Sequence, residues 1–315
     1  MYKRFKQKKK INVFFCIIVA IILSFALLVT IDSKLNFKYI PSWTEIGAFL
    51  KNEPIKNDKA STSIHFIDVG QADSILIKSE DANVLIDAGE RENSAKLIKY
   101  LESVGVKKLD IVIATHPHLD HIGGMPEVIK AFKIDKIIAP KIPDAIVPTT
   151  KVYTNFLTAV AEKGLKITPA KPGLSFEVGE GTLEILAPSS EFEDLNNMSV
   201  VSRFTSNGYA SLFAGDIESK AEKDLLNQKF NLNIDFLKVA HHGSNSSSIS
   251  AFLEATSPTA AFISVGKNND YNHPSLEVLN RFKKGNTKVY RTDLSGTIVI
   301  NFTENSYNIT EEKSK

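Results

Sequence analysis

A short apolar strand, Asp110–Ala114, runs directly into Thr115-His116-Pro117-His118-Leu119-Asp120-His121. Three histidines and a carboxylate thus crowd into six residues at a strand end, in a chain with only seven histidines. Imidazole and carboxylate are usual ligands of zinc and similar divalent ions. His116 and His118 are two apart, so an extended segment points both to one side. Asp120 and His121 follow a tight turn and can face a second ion. Gly123-Gly124 then permits a close approach of backbone to the metal. The alternative, a solvated polar loop, leaves this clustering to chance.

From Ser61 onward, short β-branched runs alternate with amphipathic stretches. Period-two and helical patterning predict strands over Ser63–Val69, Ser74–Lys78, Asn83–Asp87, Asp110–Ala114, Lys136–Ala139, Leu183–Ala187, Ser199–Thr205, Tyr209–Ala214, Asp235–Val239, Ala260–Val265, Lys288–Arg291 and Thr297–Asn301. They predict helices over Ser94–Val104, Met125–Lys133, Lys151–Lys163, Ile217–Asn227, Ser248–Thr256 and Ser275–Lys284. The mixture makes this an α/β (α+β) chain of packed sheets flanked by helices. The expected domain is 61–305, followed by a polar tail, 306–315.

The N-terminal part reads differently. Six of the 38 basic residues fall in residues 1–10, leaving 32 to set against 36 acidic residues, a net of −4 for the rest. That balance argues against a large, non-specific DNA-binding surface. Residues 11–31 carry no charge and only Asn12, Ser24 and Thr30 as polar members. As a helix they span roughly 31 Å, a bilayer core. The expectation is a transmembrane anchor with the basic 1–10 segment in the cytoplasm, a tether over 32–60, and the domain outside the cell. A cleaved signal peptide, leaving a secreted domain, is the alternative, but no A-x-A site follows the run. Cys16, the sole cysteine, falls inside the span, so no thiolate cluster or Cys-His pair exists elsewhere.

The H-x-H-x-D-H run resembles the metallo-β-lactamase superfamily signature. Phe66-Ile67-Asp68-Val69-Gly70-Gln71-Ala72-Asp73-Ser74 resembles the opening of its ComEC-type branch, with Ala72 where glycine is usual. Val84-Leu85-Ile86-Asp87-Ala88-Gly89, Leu212-Phe213-Ala214-Gly215-Asp216, His241-His242-Gly243-Ser244, Asn272-His273-Pro274 and Tyr290-Arg291-Thr292-Asp293 resemble later motifs, in order. The resemblance implies a four-layer αβ/βα sandwich with a two-metal site between the sheets. His116 and His118 would hold one ion. Asp120, His121 and one of His241 and His242 would hold the other, with Asp216 bridging. The other of the histidine pair would contact a substrate oxygen. Asp87 would orient a ligand histidine. His273 would clamp phosphate or cap the following helix. Asp68 and Asp73 would line the site's mouth or cap turns. Ser244 would bind an anion or cap a helix. No histidine lies between His121 and His241, where many members place a further ligand; Asn196-Asn197-Met198-Ser199 is the matching stretch. An amide oxygen is a poorer zinc ligand, so the first site would suit a harder ion such as manganese as well as zinc.

The resemblance implies a metal-bridging hydroxide attacking an electrophile, a chemistry suited to phosphodiesters. The expected activity is that of a membrane-anchored extracellular phosphodiesterase or nuclease, with DNA a candidate substrate. The net −4 favours smaller or non-nucleic phosphodiesters. The rivals are hydrolysis of another ester or lactone, and a non-catalytic scaffold for DNA uptake or the cell wall.

Overall fold

The computed structural model describes residues 62–303 and 306–313, together with Ser24, Leu27, Leu28 and Thr30, which are helical. The tether, the basic segment and nearly all of the apolar 11–31 run lie outside the described residues. Among the described residues, no helix is long and apolar enough to cross a membrane.

Eight strands form one sheet, in the order β15-β14-β1-β2-β3-β4-β5-β6. They are β1 (Thr62–Phe66), β2 (Ile75–Ser79), β3 (Asn83–Ile86), β4 (Lys108–Ile113), β5 (Lys133–Ala139), β6 (Ile167–Pro169), β14 (Ile298–Thr303) and β15 (Ser306–Glu311). Seven form the other, in the order β13-β12-β11-β10-β9-β8-β7. These are β7 (Ser175–Val178), β8 (Gly181–Ala187), β9 (Val201–Ser206), β10 (Tyr209–Phe213), β11 (Phe236–Lys238), β12 (Ala260–Ile263) and β13 (Lys288–Arg291).

Strand alternation decides what faces what. Ile64 and Phe66 of β1, Ile75 and Ile77 of β2, and Ile111 and Ile113 of β4 pack against Phe204, Phe213, Phe236 and Phe262 of the opposite sheet. The intervening residues Leu76, Leu85 and Val112 point the other way. They meet α1 (Ser94–Ser103), α3 (Met125–Ala131) and α4 (Lys151–Glu162) through Leu97, Val128 and Phe156. On the second sheet's outer face, Leu212, Leu237 and Ala261 meet α5 (Ser219–Asn227), α6 (Ser250–Thr256) and α7 (Leu276–Lys284). The result is the four-layer αβ/βα sandwich. Strands buried on both faces explain the near-continuous apolar runs.

Three strands escaped the sequence reading. β6 and β7 are short and lie at sheet edges, and neither has a fully buried face. β15 falls in the stretch expected to be a polar tail; its residues are half-buried or exposed because it is the sheet's outermost strand. β5 starts at Lys133, three residues before the predicted strand, and its first residues alternate exposed and buried.

Parallel pairing runs through β3-β4-β5-β6 in one sheet and β10-β11-β12-β13 in the other. The carboxyl ends of parallel strands are where backbone leaves the ladder and side chains become available. Asp87 follows β3, the histidine segment follows β4, Asp216 follows β10, and His241-His242 follow β11.

The seam between the sheets carries a stacked pair, Phe66 on Phe262, with ring centroids 4.2 Å apart and planes 2° from parallel. Phe262→Ala removes a fully buried ring and leaves Phe66 without its stacking partner. Urea denaturation of this variant is expected to show a loss of about 3–5 kcal/mol; a loss below about 1 kcal/mol would show that the seam repacks around the gap.

Candidate metal centre

Asp87 organises the first half of the site. It is fully buried and adopts a left-handed backbone (φ 57°) directly after β3. Its Oδ1 accepts from the Thr115 amide at 2.8 Å, and its Oδ2 accepts from the Thr115 hydroxyl at 2.6 Å. His121 Nδ1 donates to the same Oδ2 at 2.7 Å. The His121 Nε2 atom therefore points away, and it has no hydrogen-bond partner despite complete burial. The Thr115 hydroxyl, its proton committed to Asp87, accepts from His116 Nδ1 at 3.1 Å. That turns His116 Nε2 towards His118 Nδ1, 3.0 Å away. His118 is the N-cap of a one-turn helix, α2 (Leu119–Ile122), which carries Asp120 and His121.

Gly123 and Gly124 allow a close approach of backbone here. A Cβ at Gly124 would strike the Ala88 carbonyl, and one at Gly123 the Leu119 carbonyl. Their close approach seats α2 against the turn after Asp87.

The second sheet supplies the rest. Asp216 Oδ2 lies 3.2 Å from His121 Nε2, 3.6 Å from His242 Nε2, 3.9 Å from His116 Nε2 and 4.0 Å from His241 Nε2. One carboxylate oxygen thus faces four imidazole nitrogens, while Oδ1 is buried without a partner. His241 and His242 both have φ 51°, and such backbone conformations persist where surroundings over-determine them. His242 Nδ1 donates to the Ser264 carbonyl at 2.8 Å, which directs Nε2 to Asp120 Oδ2 at 3.1 Å. His241 Nδ1 faces Glu218 Oε1 at 3.3 Å, and its ring is partly exposed. Asp120, His121, Asp216 and His242 each offer a ligand atom, all within 4.8 Å of one another. This set of two imidazoles and two carboxylates, with orphaned buried atoms among it, fits a zinc- or manganese-type ion.

Burial opposes the charge on Asp120 and Asp216, but His121 and His242 outweigh it and hold both carboxyls well below the usual range. Burial, helped by His121, keeps His116 neutral, and burial also lowers His118. His121 and His242 are raised: burial works against their charge, but Asp216 and the neighbouring carboxylates prevail.

The other predicted residues divide. Asp73 lies behind His242, 3.4 Å from its Nδ1. Asp68 caps a turn through the Gly70 amide and pairs at the surface with Lys96 and Lys313, away from the donors. Asn197 is not placed as a ligand, because its Oδ1 accepts from the Glu218 and Ala221 amides and so caps α5. Asn196 donates weakly to Glu218, and its Oδ1 is buried and unpartnered. Ser244 is tied to Ser246. His273 leaves helix capping to Ser275, whose hydroxyl accepts from Val278. The His273 ring lies 5.8 Å from that of His241, its Nδ1 is unpartnered, and burial pushes its pKa down to about 4. Beside His116 and Pro117 opens a largely apolar cavity of about 300 Å³, walled also by Tyr153 and Phe156. The sequence reading missed Glu218 and Ser264, which face His241 and His242; no motif marks them, and Ser264 acts through its carbonyl. Ser199 lies in the Asn196-Asn197-Met198-Ser199 stretch, but nothing there signals its contact with His116 Nδ1 at 3.2 Å.

Residues 67–267 match the family model of the metallo-beta-lactamase superfamily. The chain is 32% identical over 254 residues to ComE operon protein 3 of Bacillus subtilis, covering 75% of this chain and 32% of that protein. It is 30% identical over 257 residues to competence protein ComA of Neisseria gonorrhoeae, covering 80% and 34%. The chain therefore spans about a third of the length of these relatives, whose names agree with the ComEC-type branch. Among solved structures, Igni18, a metallo hydrolase from Ignicoccus hospitalis, is similar with a TM-score of 0.51 and 15% identity over 77% of this chain and all of that one. That likeness is one of fold.

The raised histidines give a pH signature. In chelated protein, folded His121 and His242 bind protons that the unfolded chain releases above its ordinary value of 6.5. Their stabilisation is complete below 6.5 and lost as pH rises through the folded values. A cation competes for the same ring nitrogens and binds better as protons leave. Thermal melting from pH 7 to 9 is expected to show falling stability with chelator and a widening gain from added zinc or manganese. A metal-induced gain that shrinks as pH rises over this range would contradict the assignment.

Proposed function

The chain belongs to the metallo-beta-lactamase superfamily, and from that premise we propose that it hydrolyses phosphodiesters with two divalent ions held at Asp216. The single observation that carries this reading is the Asp216 carboxylate facing four imidazole nitrogens across the two sheets. His116 and His118, with Asp216, would hold one ion, and Asp120, His121 and His242, with the same Asp216, would hold the other. When bound, paired ions activate water and offset the negative charge that develops on a phosphoryl centre.

The chain's own residues prepare that chemistry. Asp87 and Ser264 fix His121 and His242 so that their Nε2 atoms face Asp216. The low-lying carboxyls of Asp120 and Asp216 stay ionised at neutral pH. His241 and His273 stand at the more open side of the cluster, where they meet substrate oxygens. His273, neutral above about pH 4, binds there as a hydrogen-bonding group rather than a fixed charge.

The substrate is DNA or a smaller phosphodiester, in keeping with the competence names of the relatives and with a mildly acidic body. The uncharged 11–31 run behind six basic residues supports attachment to a membrane with the domain outside the cell. A carboxylic ester or lactone is the second reading, favoured by the apolar cavity beside His116, which suits an acyl group.

The test is hydrolysis of bis(4-nitrophenyl) phosphate by the full chain, chelated and then resupplied with zinc or manganese, with a nitrophenyl ester in parallel. Metal-dependent phosphodiester turnover is expected, falling by roughly a hundredfold or more in Asp120→Ala and Asp216→Ala. Turnover of the ester alone would replace the phosphodiester reading. Turnover unaffected by both substitutions would remove the cluster from the chemistry.

A further inference from the structure

Lys238 ends β11, in the apolar run Phe236-Leu237-Lys238-Val239. Phe236 faces the seam between the sheets and Leu237 the outer helices, so alternation turns Lys238 into the seam. Its side chain is completely buried. Nζ lies 2.6 Å from Asp73 Oδ2 and donates to the Val239 carbonyl at 2.9 Å. Asp73, also buried, belongs to the other sheet's side of the seam, two residues before Ile75 of β2. Among the described residues this is the one lysine or arginine ion pair with both side chains shut off from water.

Such a pair is weak support for stability, because desolvating two charges offsets their attraction. Its position points to another role. Asp73 is tied to the donor segments by backbone, its amide donating to the Asp120 carbonyl at 3.1 Å and its carbonyl accepting from Gly89 at 2.9 Å. Its Oδ1 has no hydrogen-bond partner and lies 3.4 Å from His242 Nδ1, the nitrogen that donates to the Ser264 carbonyl. Oδ2 lies 4.0 Å from His121 Nδ1. Asp120 and His121 come from one sheet, Asp216 and His242 from the other. Beside the carboxylate–imidazole contacts, the Lys238–Asp73 pair is the one lysine–carboxylate link between those halves among the described residues.

We propose that Lys238 is a positioning residue: by pinning Asp73 across the seam it fixes His242 against Asp120 and Asp216, and so sets the affinity of the second ion's ligand set. This rests on the two-ion reading above. Outer partners of ligand histidines commonly tune metal affinity 10–100-fold.

The test is calorimetric titration of chelated full chain with zinc, alongside Lys238→Met, Asp73→Asn and the double variant, with melting of each in chelator. The double variant leaves no unpaired buried charge, which guards against loss of fold. Each single variant is expected to bind the second ion roughly tenfold or more weakly, with the first ion less affected. The double variant is expected to lose less than the product of the two single effects, since both remove one link. A double variant that melts lower but keeps both ion affinities would make the pair merely structural and overturn the inference. Single losses that simply multiply would also overturn it. Failure of the unaltered chain to bind zinc or, titrated in its place, manganese would defeat the two-ion reading, and the inference with it.

Discussion

Asp87 gives both carboxylate oxygens to the segment after β4, and the arrangement of the donors follows from that commitment. The Thr115 amide and hydroxyl and the His121 ring all bond to it in full burial. An ionisable group so placed is costly unless its partners are fixed. Burial raises its pKa, with His121 the chief opposing influence. Fixing those partners settles which nitrogen of His121 faces Asp216, and, through the Thr115 hydroxyl, which nitrogen of His116 faces His118.

The sandwich makes this possible. Two sheets bring the carboxyl ends of parallel strands to one rim, the first contributing His116, His118, Asp120 and His121, the second Asp216 and His242. The four-donor set spans the seam: Asp120 and His121 come from one side, Asp216 and His242 from the other. The apolar seam behind them, from Phe66 and Phe262 to Ile75 and Phe236, keeps the halves in register. It also lowers the local dielectric, which strengthens each carboxylate–imidazole contact.

The centre of the site was legible because its residues are rare types in a dense local pattern. His116, His118, Asp120 and His121 lie within six positions, and Asp216 and the His241-His242 pair each end an apolar strand. The resemblance supplied the four-layer arrangement, which patterning had left at packed sheets and helices. What stayed hidden depends on contacts distant in sequence. Lys238 looks like any lysine on a strand, and only its facing towards Asp73, far back in the chain, reveals its burial. Asn197 looked like a substitute ligand, yet its amide is spent on capping α5. The backbone carbonyls that Gly123 and Gly124 approach lie at Leu119 and Ala88, a contact that no local pattern reveals. The edge strands β6, β7 and β15 gave no signal because an edge needs no buried face.

The most direct measurement is anomalous X-ray diffraction from crystals of the full chain grown with zinc, recorded on both sides of the zinc absorption edge. The account predicts two anomalous peaks, each in contact with an Asp216 carboxylate oxygen, one beside His116 and His118 and the other beside Asp120, His121 and His242. Peaks confined to other parts of the surface, or a single ion that leaves Asp216 untouched, would contradict it.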